Sequence, residues 1–96
     1  MRLRDRLPDL RDEIYRAAAE SGARDVRVFG SVARGEERED SDVDFLVSLE
    51  PGRSLLDLAR LELRLERLLG RPVDVVTEAG LRPPVRASAL RDAIGV

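Results

Sequence analysis

The chain has 96 residues, of which 43% are hydrophobic and 38% are charged, and its formal net charge at neutral pH is −2. This composition predicts one packed domain over residues 1–96 with a strongly ionic surface. Cysteine and histidine are both absent, which excludes disulfides, thiolate and histidine metal sites, and a histidine general base. Any bound metal must therefore lie on carboxylates, and such a site favours Mg²⁺ or Mn²⁺.

The charge pattern and the scarcity of aromatic residues bear on the partners of the chain. The only aromatic residues are Tyr15, Phe29 and Phe45, and the 17 basic residues form no broad stripe. We therefore expect no direct, sequence-independent binding to nucleic acid. No apolar run is long enough to cross a membrane. The charged first residues lack the apolar segment of a signal peptide, which predicts a cytoplasmic protein.

The first predicted element is a helix over residues 3–21. Apolar residues recur along it at three- and four-residue steps: Leu3, Leu7, Leu10 and Ile14. This spacing is typical of a helix with one buried stripe. Pro8 predicts that the regular helix starts near that position, because proline is tolerated in the first turn, and Gly22 predicts its end.

A strand is predicted over residues 25–29, followed by a turn and a short helix over residues 30–35. Gly30 and Ser31 would lie where the strand ends and the helical turn begins. Backbone N–H groups and a hydroxyl at such a place can bind a phosphate. The charged residues 36–40 that follow predict a solvated loop.

A second strand is predicted over residues 43–49, with two acids at its head. Asp42 and Asp44 lie two residues apart, so their carboxylates point to the same side of the strand. A carboxylate pair that faces a phosphate site indicates Mg²⁺ and a nucleotide. The alternative is a pair of solvated acids, which Asp-x-Asp alone would favour. We interpret Ser41 first as a local cap or turn former that sets the backbone of Asp42.

The clearest helix signal covers residues 54–69. Ser54 and Asp57 form a capping-box pattern, and Gly70 marks the end of the helix. The predicted core stripe contains five leucines: Leu55, Leu58, Leu61, Leu65 and Leu68. Three further leucines widen this stripe: Leu56, Leu63 and Leu69. They either complete a well-buried helix or form a surface for a second subunit or a partner helix, so we expect a homo- or hetero-oligomer.

A third strand is predicted over residues 73–77 and a last helix over residues 85–94. If both halves of the site face one pocket, the first two strands run antiparallel, whereas strands two and three form a right-handed parallel unit around their helix. The sequence therefore predicts an α/β fold with a mixed three-stranded sheet flanked by helices. This topology brings Asp74 beside Asp42 and Asp44. The alternative for Asp74 is a strand-end acid that faces water.

The site residues resemble the signature of a known family. The two halves of the signature follow in order: Gly30-Ser31-x-Ala33-Arg34-Gly35, five residues, and Ser41-Asp42-x-Asp44. This pattern is similar to that of the minimal nucleotidyltransferases, the smallest members of the DNA polymerase β-like nucleotidyltransferase superfamily, which are often encoded beside a HEPN-domain protein. The resemblance implies the fold of that superfamily and an antitoxin that transfers AMP from ATP to a tyrosine of a HEPN ribonuclease toxin.

The resemblance also implies roles for individual residues. Two Mg²⁺ ions would be bridged by Asp42 and Asp44, and Asp74 would hold the ion that activates the acceptor hydroxyl. Gly30 and Ser31 would hold the β- and γ-phosphates of ATP.

Arg34 either contacts the triphosphate or pairs with an acid of the 36–40 loop. Ser41 is a further candidate for nucleotide binding.

Two other functions remain open at this point. The chain could neutralise a HEPN partner by contact alone, without catalysis. It could also be a nucleotidyltransferase for a small molecule, with an acceptor pocket completed by a partner subunit. Only about twenty residues follow the third strand, which favours an acceptor supplied by another protein.

Overall fold

The computed structural model describes residues 2–96 as a mixed sheet with flanking helices. In chain order the elements are α1 Leu3–Glu20, β1 Ala23–Phe29, α2 Gly30–Arg34, β2 Val43–Leu49, α3 Leu55–Leu69, β3 Val73–Val76, a 3₁₀ turn Glu78–Gly80, α4 Pro83–Asp92 and β4 Ile94–Gly95. The strand order is β3-β2-β1-β4. Strand β1 is antiparallel to β2 and β4, whereas β2 is parallel to β3. No helix among the described residues is long and apolar enough to cross a membrane.

The main core lies between one face of the sheet and the helices α1 and α3. In β2, Val43, Phe45 and Val47 belong to this core and alternate with residues that point to the other face. The helices contribute leucine, isoleucine and alanine side chains: Leu7, Ile14, Ala17, Leu58, Leu61 and Leu65. The face of the sheet that points away from this core carries Asp44 and Asp74, and it is there that the candidate site lies.

The helix predicted over residues 3–21 is present, but the expectation that its regular part starts near Pro8 was wrong. Helix α1 begins at Leu3 and contains Pro8 in its interior. Leu3 and Leu7 are both buried in the core, and their burial outweighs the one backbone hydrogen bond that proline removes. The predicted end was right, because Gly22 follows the helix with φ +73°.

The prediction of three strands was incomplete at the C-terminal end of the chain. The last helix covers Pro83–Asp92 rather than residues 85–94, with its prolines at the first two positions, where the missing N–H groups cost nothing. Ile94 instead pairs with Val28, and Gly95 pairs with Arg27, so that a short fourth strand covers the edge of β1. The third strand is one residue shorter than predicted. A two-residue strand is too short to show an alternating pattern.

Helix α3 confirms the predicted caps but not the whole predicted core stripe. The Ser54–Asp57 capping box is present, and Gly70 ends the helix with φ +69°. Leu55 was predicted to be buried but is 81% exposed, because it lies in the first turn at the edge of the stripe. Of the three additional leucines, Leu69 is buried whereas Leu56 and Leu63 are exposed.

The loop between α2 and β2 is less solvated than predicted, because Glu37 is buried within it. The Glu37 carboxylate accepts hydrogen bonds from the Leu3 backbone N–H at 3.3 Å and from Arg71 at 3.1 Å. Its backbone carbonyl accepts a hydrogen bond from Arg2 at 2.7 Å. A run of charged residues carries no signal that one of its acids caps a helix. The loop is thereby anchored to the start of α1 and to the residues before β3.

Candidate functional site

The two halves of the motif meet where β1 ends and β2 begins. Phe29, the last residue of β1, is the register partner of Asp44. Gly30 has a φ of +73°, and a Cβ built on it would lie only 2.4 Å from Oδ2 of Asp44. Glycine is therefore required at position 30 for two reasons, its backbone conformation and the closeness of the carboxylate.

The structure also places Asp42 and Asp74 close enough to Asp44 for their charges to act on its carboxylate. Asp44 and Asp74 are register partners on the parallel strands β2 and β3, so their side chains leave the sheet on the same face. Burial, followed by the charges of Asp74 and Asp42, raises the pKa of Asp44 from 3.8 to about 6, and Arg34 partly opposes this shift. Asp44 is half-buried, whereas Asp42 and Asp74 are exposed.

The fit of this site to a metal ion rests on its charge and its donor atoms. Among residues 2–96, no three acidic side chains are close enough together to coordinate one ion as they stand. Burial first, and then repulsion from the carboxylates of Asp74 and Asp42, raises the pKa of Asp44. A divalent cation bound between them would relieve this repulsion, and the oxygen donors suit a hard ion such as Mg²⁺.

Ser41 shapes the backbone just before Asp42. Its hydroxyl accepts a hydrogen bond from the Arg38 N–H at 2.8 Å, and its own N–H donates to the Arg38 carbonyl at 3.0 Å. These bonds close a turn, as the first interpretation of Ser41 expected. Contact of Ser41 with a nucleotide stays a prediction.

Arg34 lies at the end of α2 and is held by two acids. It pairs with Glu36 at 3.0 Å and with Asp92 at 2.7 Å. Hydrogen bonds with Glu36 and then Asp92 raise the pKa of the guanidinium above its ordinary value. The pair with Glu36 is one of the two alternatives for Arg34, an ion pair with an acid of the 36–40 loop, and contact with the triphosphate stays a prediction. Asp92 comes from the last turn of α4, and sequence reasoning missed it because no local pattern joins residues so far apart in the chain.

Comparisons of the sequence with known proteins identify the family to which the chain belongs. Residues 11–96 match the nucleotidyltransferase domain family. The protein adenylyltransferase MntA of Thermococcus cleftensis is 47% identical over 75 residues, which cover 78% of this chain and 76% of that protein. A Methanocaldococcus jannaschii protein provisionally named a protein adenylyltransferase is 39% identical over 88 residues, covering 92% of this chain and 95% of that protein.

Two solved structures share the fold. One, provisionally described as a minimal nucleotidyltransferase, is 54% identical, has a TM-score of 0.85, and is matched over 100% of this chain and 97% of that chain. The other, a toxin–antitoxin structure with AMP-PNP, has a TM-score of 0.74 over 88% of this chain and 69% of that chain, but at 17% identity it shows the fold alone. The predicted fold class is confirmed, with one more strand than expected. The chain belongs to the nucleotidyltransferase domain family and is one of its minimal members.

Proposed function

We propose that this chain is a Mg²⁺-dependent protein adenylyltransferase that transfers AMP from ATP to a hydroxyl of a partner protein. The observation that carries the proposal is the position of Asp44, which lies against Gly30 on one side and beside Asp74 on the other. A phosphate-binding turn thus lies next to paired carboxylates. The name protein adenylyltransferase, which the curated relatives carry, supports a protein as acceptor.

In the proposed reaction, the acceptor oxygen forms a bond to the α-phosphorus of ATP and the bond from that phosphorus to the β-phosphate oxygen breaks. Pyrophosphate leaves. Asp42 and Asp44 would hold two Mg²⁺ ions, and Asp74 would hold the one nearer the acceptor. Bound Mg²⁺ supplies charge neutralisation at the phosphates and lowers the pKa of the acceptor hydroxyl.

The remaining residues of the site would bind and orient the substrates. The Ser31 hydroxyl and the backbone N–H groups at Gly30 would hold the β- and γ-phosphates, because glycine leaves the backbone open to a close approach. Arg34 would add positive charge beside the triphosphate, and its effect on the pKa of Asp44 supports this proximity. Asp74, which is exposed on the site face, would accept the proton of the acceptor hydroxyl.

The acceptor that we propose is a tyrosine of a HEPN ribonuclease toxin encoded nearby, so that the chain acts as an antitoxin. Two lines of support come from the sequence motif and from the toxin–antitoxin structure that shares the fold. Adenylylation would silence the toxin.

Intact-protein mass spectrometry of the neighbouring gene product tests the proposal. The partner is incubated with this protein, ATP and Mg²⁺, and in parallel with the Asp42→Asn/Asp44→Asn variant. The proposal expects the partner to gain the mass of one or more AMP groups with the wild-type protein and no mass with the double variant. Neutralisation of the partner by the double variant would favour inhibition by contact, and adenylylation of a small molecule in the absence of a protein acceptor would favour the small-molecule alternative.

A further inference from the structure

Helix α3 presents an outward face that combines apolar and basic side chains. Leu56 and Leu63 are 60% and 55% exposed, and their separation of two helical turns places them on the same side of the helix. Arg60 and Arg67 lie four residues after each leucine, also exposed and on the same side. We name these four residues the outer α3 face.

The packing of the domain does not account for this face. The core is filled from the opposite side of α3, by Leu58, Leu61 and Leu65. Other arginines near this helix have acidic partners, as Arg53 has with Asp57 and Arg64 with Glu20. Within residues 2–96, neither Arg60 nor Arg67 takes part in an ion pair. The outer α3 face therefore offers two leucines and two uncompensated positive charges.

A second copy of the chain fits this face poorly. Docked antiparallel, with Leu56 of one copy against Leu63 of the other, α3 would bring Arg60 next to Arg60 of the second copy. Like charges at the centre of an interface disfavour the pairing. The complementary surface is instead an amphipathic helix with an apolar stripe flanked by carboxylates.

We propose that the outer α3 face docks such an acidic amphipathic helix on the protein acceptor. The proposal rests on the proposed function in one respect, because the docked protein is taken to be the one that receives AMP. Helix α3 packs on the face of the sheet opposite to Asp44 and Asp74, so a docked helix leaves the carboxylates accessible. Docking away from the site raises the local concentration of the acceptor and acts on its KM rather than on the transfer step.

Two double variants test the surface, each with a conservative control at the same positions. Leu56→Glu/Leu63→Glu and Arg60→Glu/Arg67→Glu should each weaken binding to the neighbouring gene product at least about tenfold in isothermal titration calorimetry. The controls Leu56→Met/Leu63→Met and Arg60→Lys/Arg67→Lys should bind within about threefold of the wild type. Thermal unfolding should change little, because all four side chains are exposed.

The kinetics of adenylylation separate docking from a general defect. The glutamate variants should raise the KM for the protein acceptor about tenfold and leave kcat within about twofold. Wild-type binding and wild-type KM in the glutamate variants would overturn the proposal. A dimer of the isolated chain that sedimentation velocity detects and that Leu56→Glu/Leu63→Glu dissociates would also overturn it, in favour of a second copy.

Failure of the proposed function would look different. In that case the wild-type protein would transfer no AMP, while the glutamate variants would still lose binding and the Asp42→Asn/Asp44→Asn variant would keep it. Docking on the outer α3 face would stand in that outcome, but the docked protein would no longer be an acceptor of AMP.

Discussion

The α-carbon of Gly30 faces the carboxylate of Asp44 so closely that a Cβ at position 30 would lie 2.4 Å from Oδ2. This contact brings the proposed phosphate-binding turn next to the carboxylate pair, although 13 residues lie between Gly30 and Asp44 along the chain. The two halves also lie on paired strands, with Phe29 as the register partner of Asp44. The contact therefore fixes the distance between the two groups that would hold ATP and its metal ions.

Replacement of Gly30 by alanine should damage both stability and activity. Alanine at φ +73° costs about 1–2 kcal/mol of unfolding free energy. Its Cβ would also displace Asp44, so we expect adenylyl transfer to fall by about a hundredfold. Gly70→Ala is the matched control, because Gly70 has φ +69° and no atom within 4 Å of its added Cβ. Urea unfolding of both variants gives their loss of stability. If Gly30→Ala and Gly70→Ala lost the same activity, the contact between Gly30 and Asp44 would have no special role in transfer.

The pKa of Asp44 predicts a pH dependence of stability. The folded protein raises this pKa from 3.8 to about 6, so the carboxyl binds its proton more tightly in the folded than in the unfolded chain. Its contribution to stability is therefore fully present below about pH 4 and is lost as the pH rises to about 6. Asp44→Asn should gain stability relative to the wild type over this range, as measured by urea unfolding.

Magnesium provides the second half of this experiment. At about pH 7, where Asp44 is ionised, bound Mg²⁺ should stabilise the wild-type protein by mass action but have little effect on Asp44→Asn. A stability difference between the two proteins that does not change with pH or with Mg²⁺ would show that Asp44 titrates normally and lies outside any metal site.

Loss of the Glu37 carboxylate should destabilise the loop between the two halves of the motif. The Glu37 side chain is only 3% exposed and bonds Arg71 and the Leu3 N–H. Glu37→Ala leaves both groups without an acceptor and should cost about 2–3 kcal/mol of unfolding free energy. Glu37→Gln keeps one acceptor and should cost less. Glu39→Ala, at an exposed position of the same loop, should change the free energy of unfolding by less than about 0.5 kcal/mol. If Glu37→Ala and Glu39→Ala lowered the free energy of unfolding equally, Glu37 would not anchor the loop.

Substitutions at Arg34 and Asp92 can distinguish a substrate contact from a structural ion pair. If Arg34 contacts the triphosphate, Arg34→Ala should raise the KM for ATP about fivefold or more, whereas Asp92→Asn should leave it within about twofold. Both side chains are partly exposed, so neither change should affect stability by more than about 1 kcal/mol. Equal effects of the two variants on KM would assign Arg34 to the ion pair alone.

Much of the fold could be predicted because local signals agreed with the packing. The β2 strand, the capping box at Ser54 and the glycine stop at Gly70 all appear as predicted. The order of the site residues fixed the antiparallel pairing of β1 with β2, and the helix between β2 and β3 fixed their parallel pairing. These predictions needed only neighbouring residues and chain connectivity.

The features that were missed depend on contacts between distant parts of the chain. Glu37 is buried because α1 offers it a free N–H at Leu3, and nothing in the charged loop itself indicates this. Pro8 is tolerated within a helix because Leu3 and Leu7 are both buried. The pairing of Arg34 with Asp92 arises only once α4 lies beside α2.

The rate of AMP transfer from ATP in single turnover, measured for the wild type and for Asp42→Asn, Asp44→Asn and Asp74→Asn, tests the central claim most directly. The account predicts that Asp42→Asn and Asp44→Asn each slow transfer by at least about a hundredfold in the presence of Mg²⁺, with Asp74→Asn similarly impaired. Circular dichroism and urea unfolding should show that the variants remain folded. Transfer at the wild-type rate by the folded Asp44→Asn variant would contradict the account, because the residue that joins both halves of the site would then be dispensable.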